Sequence, residues 1–449
     1  MTRSSARLCT ALACAGMMLT VAQSASAQLA RTPRPYRALF DPGGSDSVQS
    51  LTASGGLTTG WDSNVLALGR TNALGFDRNA IWGGSGYFGA ASGGLSYSRR
   101  TTPIGFSAGA TSSALYFARR DSWITFQSVS AGADFSHALW SHATLRAAPT
   151  VAYTNVDRLD LFDQPDQGVD ETFLDQLDYA VIDRRVLSYT FTTGVTQQLG
   201  ARTTVAVSGS ARYRDRVGGE GPNYRRLSGN AQWQYQFTRN AAVYVGYRYQ
   251  QVDRGNADAT GASRDGNSFD GGIRYGRVLS LSGRKTSLRF GTGTDFVGRE
   301  PVGNENTRAR LRGHVSGSAA LIREISRSWY AQLNYTRGVR FYEDIAHPIM
   351  SDAVTAALSG YLGSRTDLSA VAAYVRGANA ARRSGRELES YTGSVQLRYA
   401  LLRNISVYTQ YLYYQYHFGE GVILLRNLPS GLERHSARVG LSASLPLLR

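Results

Sequence analysis

The chain has 449 residues, of which 49 are lysine or arginine and 33 are aspartate or glutamate, so its formal net charge is +16. Both cysteines, Cys9 and Cys14, lie near the N-terminus, which excludes a disulfide framework, a thiolate metal site and a cysteine nucleophile from the remaining sequence. Arginines are spread along the whole chain and Lys285 is the single lysine, so the positive charge does not indicate a nucleic-acid-binding patch.

Residues 1–27 are predicted to form a secretory signal peptide. Arg3 and Arg7 precede an uncharged apolar run, and small residues at 24–27 provide a cleavage site. A lipoprotein signal ending at Cys14 is the alternative, which the poor match of the residues before it disfavours. Loss of the two arginines would leave a net charge of +14, and residues 28–49, with three prolines, are predicted to be a short periplasmic tail.

From residue 50 to residue 449, apolar and polar residues alternate over stretches of roughly ten residues, which is typical of transmembrane β-barrels. A period of two puts apolar residues on one face of a strand and polar residues on the other. A soluble β-sandwich gives the same alternation. The long stretches, the single series of hairpins and the aromatic residues near the stretch ends favour an all-β fold, a transmembrane antiparallel up-and-down β-barrel in the outer membrane.

The connections between these stretches alternate between short and long, which predicts the topology. Eight are tight and lie near residues 102, 141, 201, 239, 284, 327, 364 and 403, whereas nine others, mostly longer, are centred near residues 68, 120, 168, 218, 257, 304, 345, 382 and 423. Seventeen connections join eighteen strands, with sixteen to twenty as the accepted range and residues 50–120 as the least regular part. An even number of strands places both termini in the periplasm.

The polar face of the predicted strands is rich in arginine, and a barrel of this size encloses an aqueous lumen. A lumen lined by one sign of charge concentrates the opposite ion, so these arginines predict an anion-favouring channel. An alternative is that some pair with acids or bind lipopolysaccharide phosphate at the rim. The predicted lumen-lining residues are Arg146, Arg212, Arg214, Arg226, Arg248, Arg274, Arg289, Arg308, Arg310, Arg312, Arg340, Arg398 and Arg438.

One long connection, residues 157–183, is strongly acidic. It is predicted either to fold inward against the basic wall as a constriction or to remain a solvated surface loop, and its spacing does not match a calcium-binding EF-hand. The residues of the possible constriction are Asp163, Asp166, Asp170, Glu171, Asp175 and Asp178.

Nothing in the sequence predicts an enzyme, a metal site or a cofactor. No zinc-protease or phosphate-loop motif is present. His314 shares a strand face with Ser316 and Ser318, but alternate residues of a polar face produce such pairs by chance. We therefore expect no catalytic residues.

The first predicted strand, residues 53–65, is rich in glycine and closes on the segment Trp61-Asp62-Ser63-Asn64-Val65. This pattern resembles the start of the β-barrel porin 2 family of bacterial outer-membrane proteins. The resemblance covers the chain in architecture and this strand in motif. It implies a barrel that accompanies exopolysaccharide synthesis and export, with a periplasmic polysaccharide export protein as a partner and no catalytic residues.

Two classes of function follow. The first is a conduit, either for outward passage of a surface polysaccharide or for diffusion of small anions and other small solutes. The second is a structural or adhesive surface barrel without transport, which long hydrophobic or repetitive loops would favour. The expected surroundings are outer-membrane lipid and lipopolysaccharide, and the barrel-assembly machinery is the expected folding partner.

Overall fold

The structure is a computed structural model that describes residues 48–64, 68–69, 85–101, 103–118, 122–158, 181–216, 223–254, 264–281, 284–298, 311–326, 328–342, 345, 347–380, 388–419 and 431–448. The predicted signal peptide, nearly all of the predicted tail, the acidic constriction residues, Arg308 and Arg310 lie outside these ranges. Within them, no helix is long and apolar enough to cross a bilayer.

Eighteen long strands form the barrel, and β-branched, aromatic and small residues dominate them, as a pleated sheet favours. They are β1 (Gln49–Asp62), β2 (Gly86–Arg100), β3 (Ile104–Phe117), β4 (Ser122–Trp140), β5 (Ala143–Arg158), β6 (Val181–Gln198), β7 (Thr203–Arg216), β8 (Tyr224–Gln236), β9 (Ala241–Arg254), β10 (Arg264–Leu281), β11 (Arg284–Gly298), β12 (Leu311–Glu324), β13 (Tyr330–Arg340), β14 (Ile349–Tyr361), β15 (Thr366–Asn379), β16 (Leu388–Ala400), β17 (Ile405–Phe418) and β18 (Gly431–Leu448).

Each strand pairs antiparallel with its neighbours in sequence, and β1 pairs with β2 on one side and with β18 on the other. The sheet is therefore a closed barrel without a free edge, which is the arrangement that satisfies strand backbones in lipid. A two-residue strand, Leu68–Gly69, lies in the connection between β1 and β2 and pairs parallel with the first residues of β6. This connection thus reaches a strand four positions beyond β2.

The predicted eighteen-strand antiparallel barrel is confirmed, and the connections fall where the sequence predicts them, although the one near residue 120 spans only four residues. Residues 50–120, where the alternation is weakest, hold β1, β2 and β3, and small residues on both faces of these strands explain why the pattern is faint. The tight turn between β14 and β15 contains Gly363 at a φ of 130°, a left-handed backbone conformation that favours glycine.

The two faces of the sheet differ in chemistry. On the outer face large apolar side chains are exposed around the circumference, for example Leu57 of β1 (61% exposed) and Val315 of β12 (66% exposed). A water-soluble protein rarely exposes such a continuous apolar surface. The opposite face carries most of the polar and charged side chains.

Candidate functional site

The inner face of the barrel is identified by side chains that pass over an intervening strand. Tyr244 of β9 donates its hydroxyl proton to the carbonyl of Thr292 in β11 (2.6 Å), and the hydroxyls of Tyr408 in β17 and Thr58 in β1 are 2.5 Å apart. Because adjacent strands are about 4.8 Å apart, side chains of next-nearest strands meet most readily on the concave side, where they converge.

Eleven of the thirteen arginines that the sequence analysis selects are within the described residues, and the register places each on this inner face. For example, Arg146 is opposite Gly194, Arg289 is opposite Ala320, and Arg438 is opposite Gly60. The eleven are Arg146, Arg212, Arg214, Arg226, Arg248, Arg274, Arg289, Arg312, Arg340, Arg398 and Arg438.

The structure adds inner-face charges that the sequence analysis left out. Arg216 follows Arg214 on the same face of β7, which strand parity alone could have revealed. Asp134, Asp270 and Asp295 lie on this face, and so does Asp367. It forms an ion pair with Arg398, with 2.6 Å between Oδ2 and Nη2, so that the charge of Arg398 is locally balanced.

Six inner-face arginines of β7 to β10 form what we call the basic arc. Arg212 of β7 is directly opposite Arg226 of β8, and Arg214 and Arg216 continue the same face of β7. The members of the basic arc are Arg212, Arg214, Arg216, Arg226, Arg248 and Arg274. Two like charges directly across a ladder are unfavourable unless an anion or solvent compensates them.

Arg274, a member of the basic arc, is held by three contacts. Its Nη1 and Nη2 donate to the side-chain oxygens of Gln234 (3.1 Å) and Gln232 (3.2 Å), and its guanidinium carbon is 4.5 Å from the ring centroid of Tyr244. These contacts combine hydrogen bonds with a cation–π interaction. A Cβ at position 272 would collide with the carbonyl of Thr292, which accepts the hydrogen bond of Tyr244. Glycine at this position therefore permits the arrangement.

The opposite part of the inner wall, on β14 to β18, contains a cluster of buried apolar side chains among polar ones, and we call this cluster the apolar arc. The connection between β13 and β14 lies against it, because Tyr342 (7% exposed) and Ile345 (1% exposed) belong to the same buried cluster as the wall residues. The wall residues of the apolar arc are Ile349, Ala353, Ala357, Val371, Ala373, Val375, Leu388, Leu412, Tyr414, Tyr416, Phe418 and Leu432. Tyr342 and Ile345 of this connection, which we call the inward connection, therefore lie inside the loop end of the barrel, a feature that the sequence analysis did not predict.

The third part of the inner wall, on β2 to β4, carries mainly small neutral side chains such as Ser92, Ser96, Ser113 and Ser130. Small side chains extend least into the lumen, so among the described wall residues these strands leave the most room and present hydroxyl groups to it.

No protein-family model matches the sequence, and no curated protein matches it. The resemblance to the β-barrel porin 2 family thus stays a prediction. Among solved structures, the chain is similar to OpdL of Pseudomonas aeruginosa (9% identity, 89% of this chain and 99% of that chain covered, TM-score 0.41). It is also similar to Pseudomonas aeruginosa OccK2, crystallised with glucuronate (10%, 89% and 98%, TM-score 0.41), and to the siderophore receptor PirA of the same organism (10%, 88% and 80%, TM-score 0.42). Similarity at this level assigns no cargo to this chain.

Proposed function

We propose that this protein is an outer-membrane channel that favours anionic solutes. The outer face supports the membrane placement, because apolar side chains cover it and exposed aromatic residues lie near both ends of the strands. Tyr87 and Trp123 are near the loop end, and Trp140 and Tyr399 are near the turn end. Amphipathic rings at two levels match the two interfaces of a bilayer.

The observation that carries the anion preference is the direct opposition of Arg212 and Arg226 within the basic arc. The neighbouring inner-face side chains of the same two strands are neutral serines and glutamines rather than acids. For example, Ser210 is opposite Ser228. A wall with this excess of positive charge raises the local concentration of anions and repels cations.

Ion selectivity in planar bilayers tests this proposal. We expect wild-type channels in a potassium chloride gradient to prefer chloride, and the double variant Arg212→Gln/Arg226→Gln to lose much of that preference. Arg225→Gln is the matched control, since Arg225 neighbours Arg226 in sequence but lies on the opposite, exposed face. A cation-preferring wild type, or an equal effect of the control, would contradict the proposal.

Export of a surface polysaccharide is the finer form of the proposal, and the first-strand resemblance supports it. An acidic polymer is compatible with the basic arc. Deletion of the gene is expected to reduce surface polysaccharide while uptake of small anions stays nearly intact. The reverse phenotype would favour a diffusion porin, and no change in either would favour a structural or adhesive barrel.

The membrane placement has its own test. The mature protein is expected in the outer-membrane fraction as a β-rich band whose gel mobility changes on heating, with both termini on the periplasmic side. Recovery from the soluble periplasm would contradict the placement independently of any selectivity measurement.

A further inference from the structure

The ladder between β12 and β13 stops before the two strands end. It runs from the pair Glu324 and Tyr330 to the pair Gly317 and Arg337. Both strands continue toward the loop end, β12 to Leu311 and β13 to Arg340. Within the described residues, 312–316 and 338–340 therefore face each other without ladder pairing, and we call this gap the fissure.

In the fissure, side chains form hydrogen bonds with backbone N–H and carbonyl groups that lie beyond the ladder. The carboxylate of Asp295, on β11, reaches over β12 and accepts a hydrogen bond from the backbone N–H of Val339 (3.0 Å). The Nε of Arg337 donates to the carbonyl of Val315 (3.2 Å). Rotation of a side chain can break such a bond without unzipping neighbouring pairs, so the fissure can open at lower cost than an intact ladder.

The inner and outer faces of the fissure differ in chemistry. On the inner face the edges carry Arg312 and Arg340, whereas on the outer face they carry Val315 and Val339, as strand parity and register require. A third bond lies beside the inner edge, where Nε2 of His314 donates to the carbonyl of Ala380 on the far side of β14 (2.9 Å). The lumen side of the fissure thus carries two guanidinium groups beside the carboxylate of Asp295, and the outside carries two valines beside the ion pair of Arg337 with Asp352.

We propose that the fissure is a lateral binding site for an anionic amphiphile from the outer leaflet. Its phosphate head would lie between the guanidinium groups of Arg312 and Arg340, and its apolar part would lie outside against Val315 and Val339. Guanidinium groups suit phosphate, Arg340 being held there by its bond to the hydroxyl of Thr336 (2.8 Å), and the valines suit a hydrocarbon chain. The inference rests on the proposed membrane placement but not on the ion selectivity of the lumen.

Cysteine cross-linking tests the site directly, since the sequence has no cysteine after Cys14. The pair Val315→Cys/Val339→Cys spans the fissure on the outer face. The matched control Ala319→Cys/Tyr335→Cys spans the intact part of the same ladder on the same face. With the protein in dodecyl maltoside, we expect dodecyl phosphate to slow disulfide formation severalfold in the fissure pair and to leave the control pair unchanged.

Replacement of the two cations separates a specific site from general detergent effects. In the added background Arg312→Gln/Arg340→Gln, dodecyl phosphate is expected to lose its effect on the fissure pair. Calorimetry on the cysteine-free protein provides a second measurement, and these two changes should weaken dodecyl phosphate binding about tenfold, as loss of charge-assisted hydrogen bonds predicts. Arg323→Gln, which alters an exposed outer-face cation of β12, should not.

Equal protection of both cysteine pairs, or binding that is unchanged by Arg312→Gln/Arg340→Gln, would overturn the proposal. If the fissure pair does not oxidise, the calorimetric comparison decides alone. Failure of the fractionation experiment would instead contradict the membrane placement, while loss of anion preference would leave the fissure result intact. The failures of the two proposals are therefore distinguishable.

Discussion

Asp62, at the end of the first strand, forms a buried ion pair with Arg434 in the last strand. The Nη2 of Arg434 is 2.8 Å from Oδ2 of Asp62, its Nε is 3.0 Å from the same oxygen, and the side chains of Arg434 and Asp62 are only 12% and 2% exposed. The next two residues continue the contact, since Ser63 exchanges hydrogen bonds with His435 and the side chain of Asn64 donates to the carbonyl of Glu433. The Asp-Ser-Asn segment that resembles a family motif thus extends the contact between β1 and β18 past the last ladder pair. We call this junction of the first and last strands the barrel seam.

Asp62→Asn is expected to destabilise the barrel by about 3 kcal/mol, because it leaves the guanidinium of Arg434 buried beside a neutral group. Unfolding of the protein in lipid vesicles by guanidinium chloride measures this change. The comparison is Asp352→Asn, which breaks an outer-face pair with Arg337 whose side chains are 28% and 45% exposed; it should cost less, because Arg337 lies near the loop end of its strand and can extend to the membrane interface. Equal losses in the two variants would show that the seam pair has no special role.

The same seam depends on a close approach at Gly440 of β18. A Cβ at this position would lie 2.7 Å from the ring of Tyr408, which crosses here to reach Thr58, and 2.7 Å from the carbonyl of Leu57. Gly440→Ala is therefore expected to lower the unfolding free energy by about 1–3 kcal/mol through overpacking.

Gly393→Ala is the control for this change, since a Cβ at Gly393 would meet its nearest atom, the carbonyl oxygen of Val371, at 3.9 Å. Thermal shift of the heat-modifiable gel band compares the two variants. If Gly440→Ala is tolerated as well as Gly393→Ala, the Tyr408 crossing does not constrain the seam.

The inward connection between β13 and β14 is expected to limit conductance. Ile345→Asp places a charge in the buried cluster and should detach the connection from the apolar arc, since a buried unpaired carboxylate is costly. Single-channel recordings should then show a larger and noisier conductance than the wild type. Leu402→Asp adds the same charge to an exposed tight turn at the other end of the barrel and should leave conductance unchanged. An unaltered conductance in Ile345→Asp would show that the connection does not narrow the path.

Strand number and face assignment could be predicted from the sequence, because both depend on local patterns: alternation with a period of two and the spacing of turns. The face of Arg226 follows from the parity of its own strand. Its direct opposition to Arg212 does not, because that depends on the register between two strands. The ion pair of Asp62 with Arg434 joins residues 372 positions apart, and no local pattern relates them.

The fissure and the inward connection lay beyond prediction for a similar reason. Val315 and Val339 each belong to well-patterned strands, and only the three-dimensional register shows that the ladder between them is missing. Ile345 belongs to a loop whose apolar character has no period, so its burial depends on the wall that it meets. The sequence analysis gave the acidic connection as a possible constriction or a solvated loop, and its candidate residues lie outside the described residues.

The pairing of β1 with β18 also bears on the order of assembly. The first strand can pair with the last only after the whole chain is present. The two are separated by almost the full length of the chain, and closure of so long a loop is slow. Until then the growing sheet has two exposed edges, each able to pair with another chain. A polypeptide that stops before Gly431 would keep both edges permanently, so the final eighteen-residue strand determines whether the chain becomes a barrel or an aggregate.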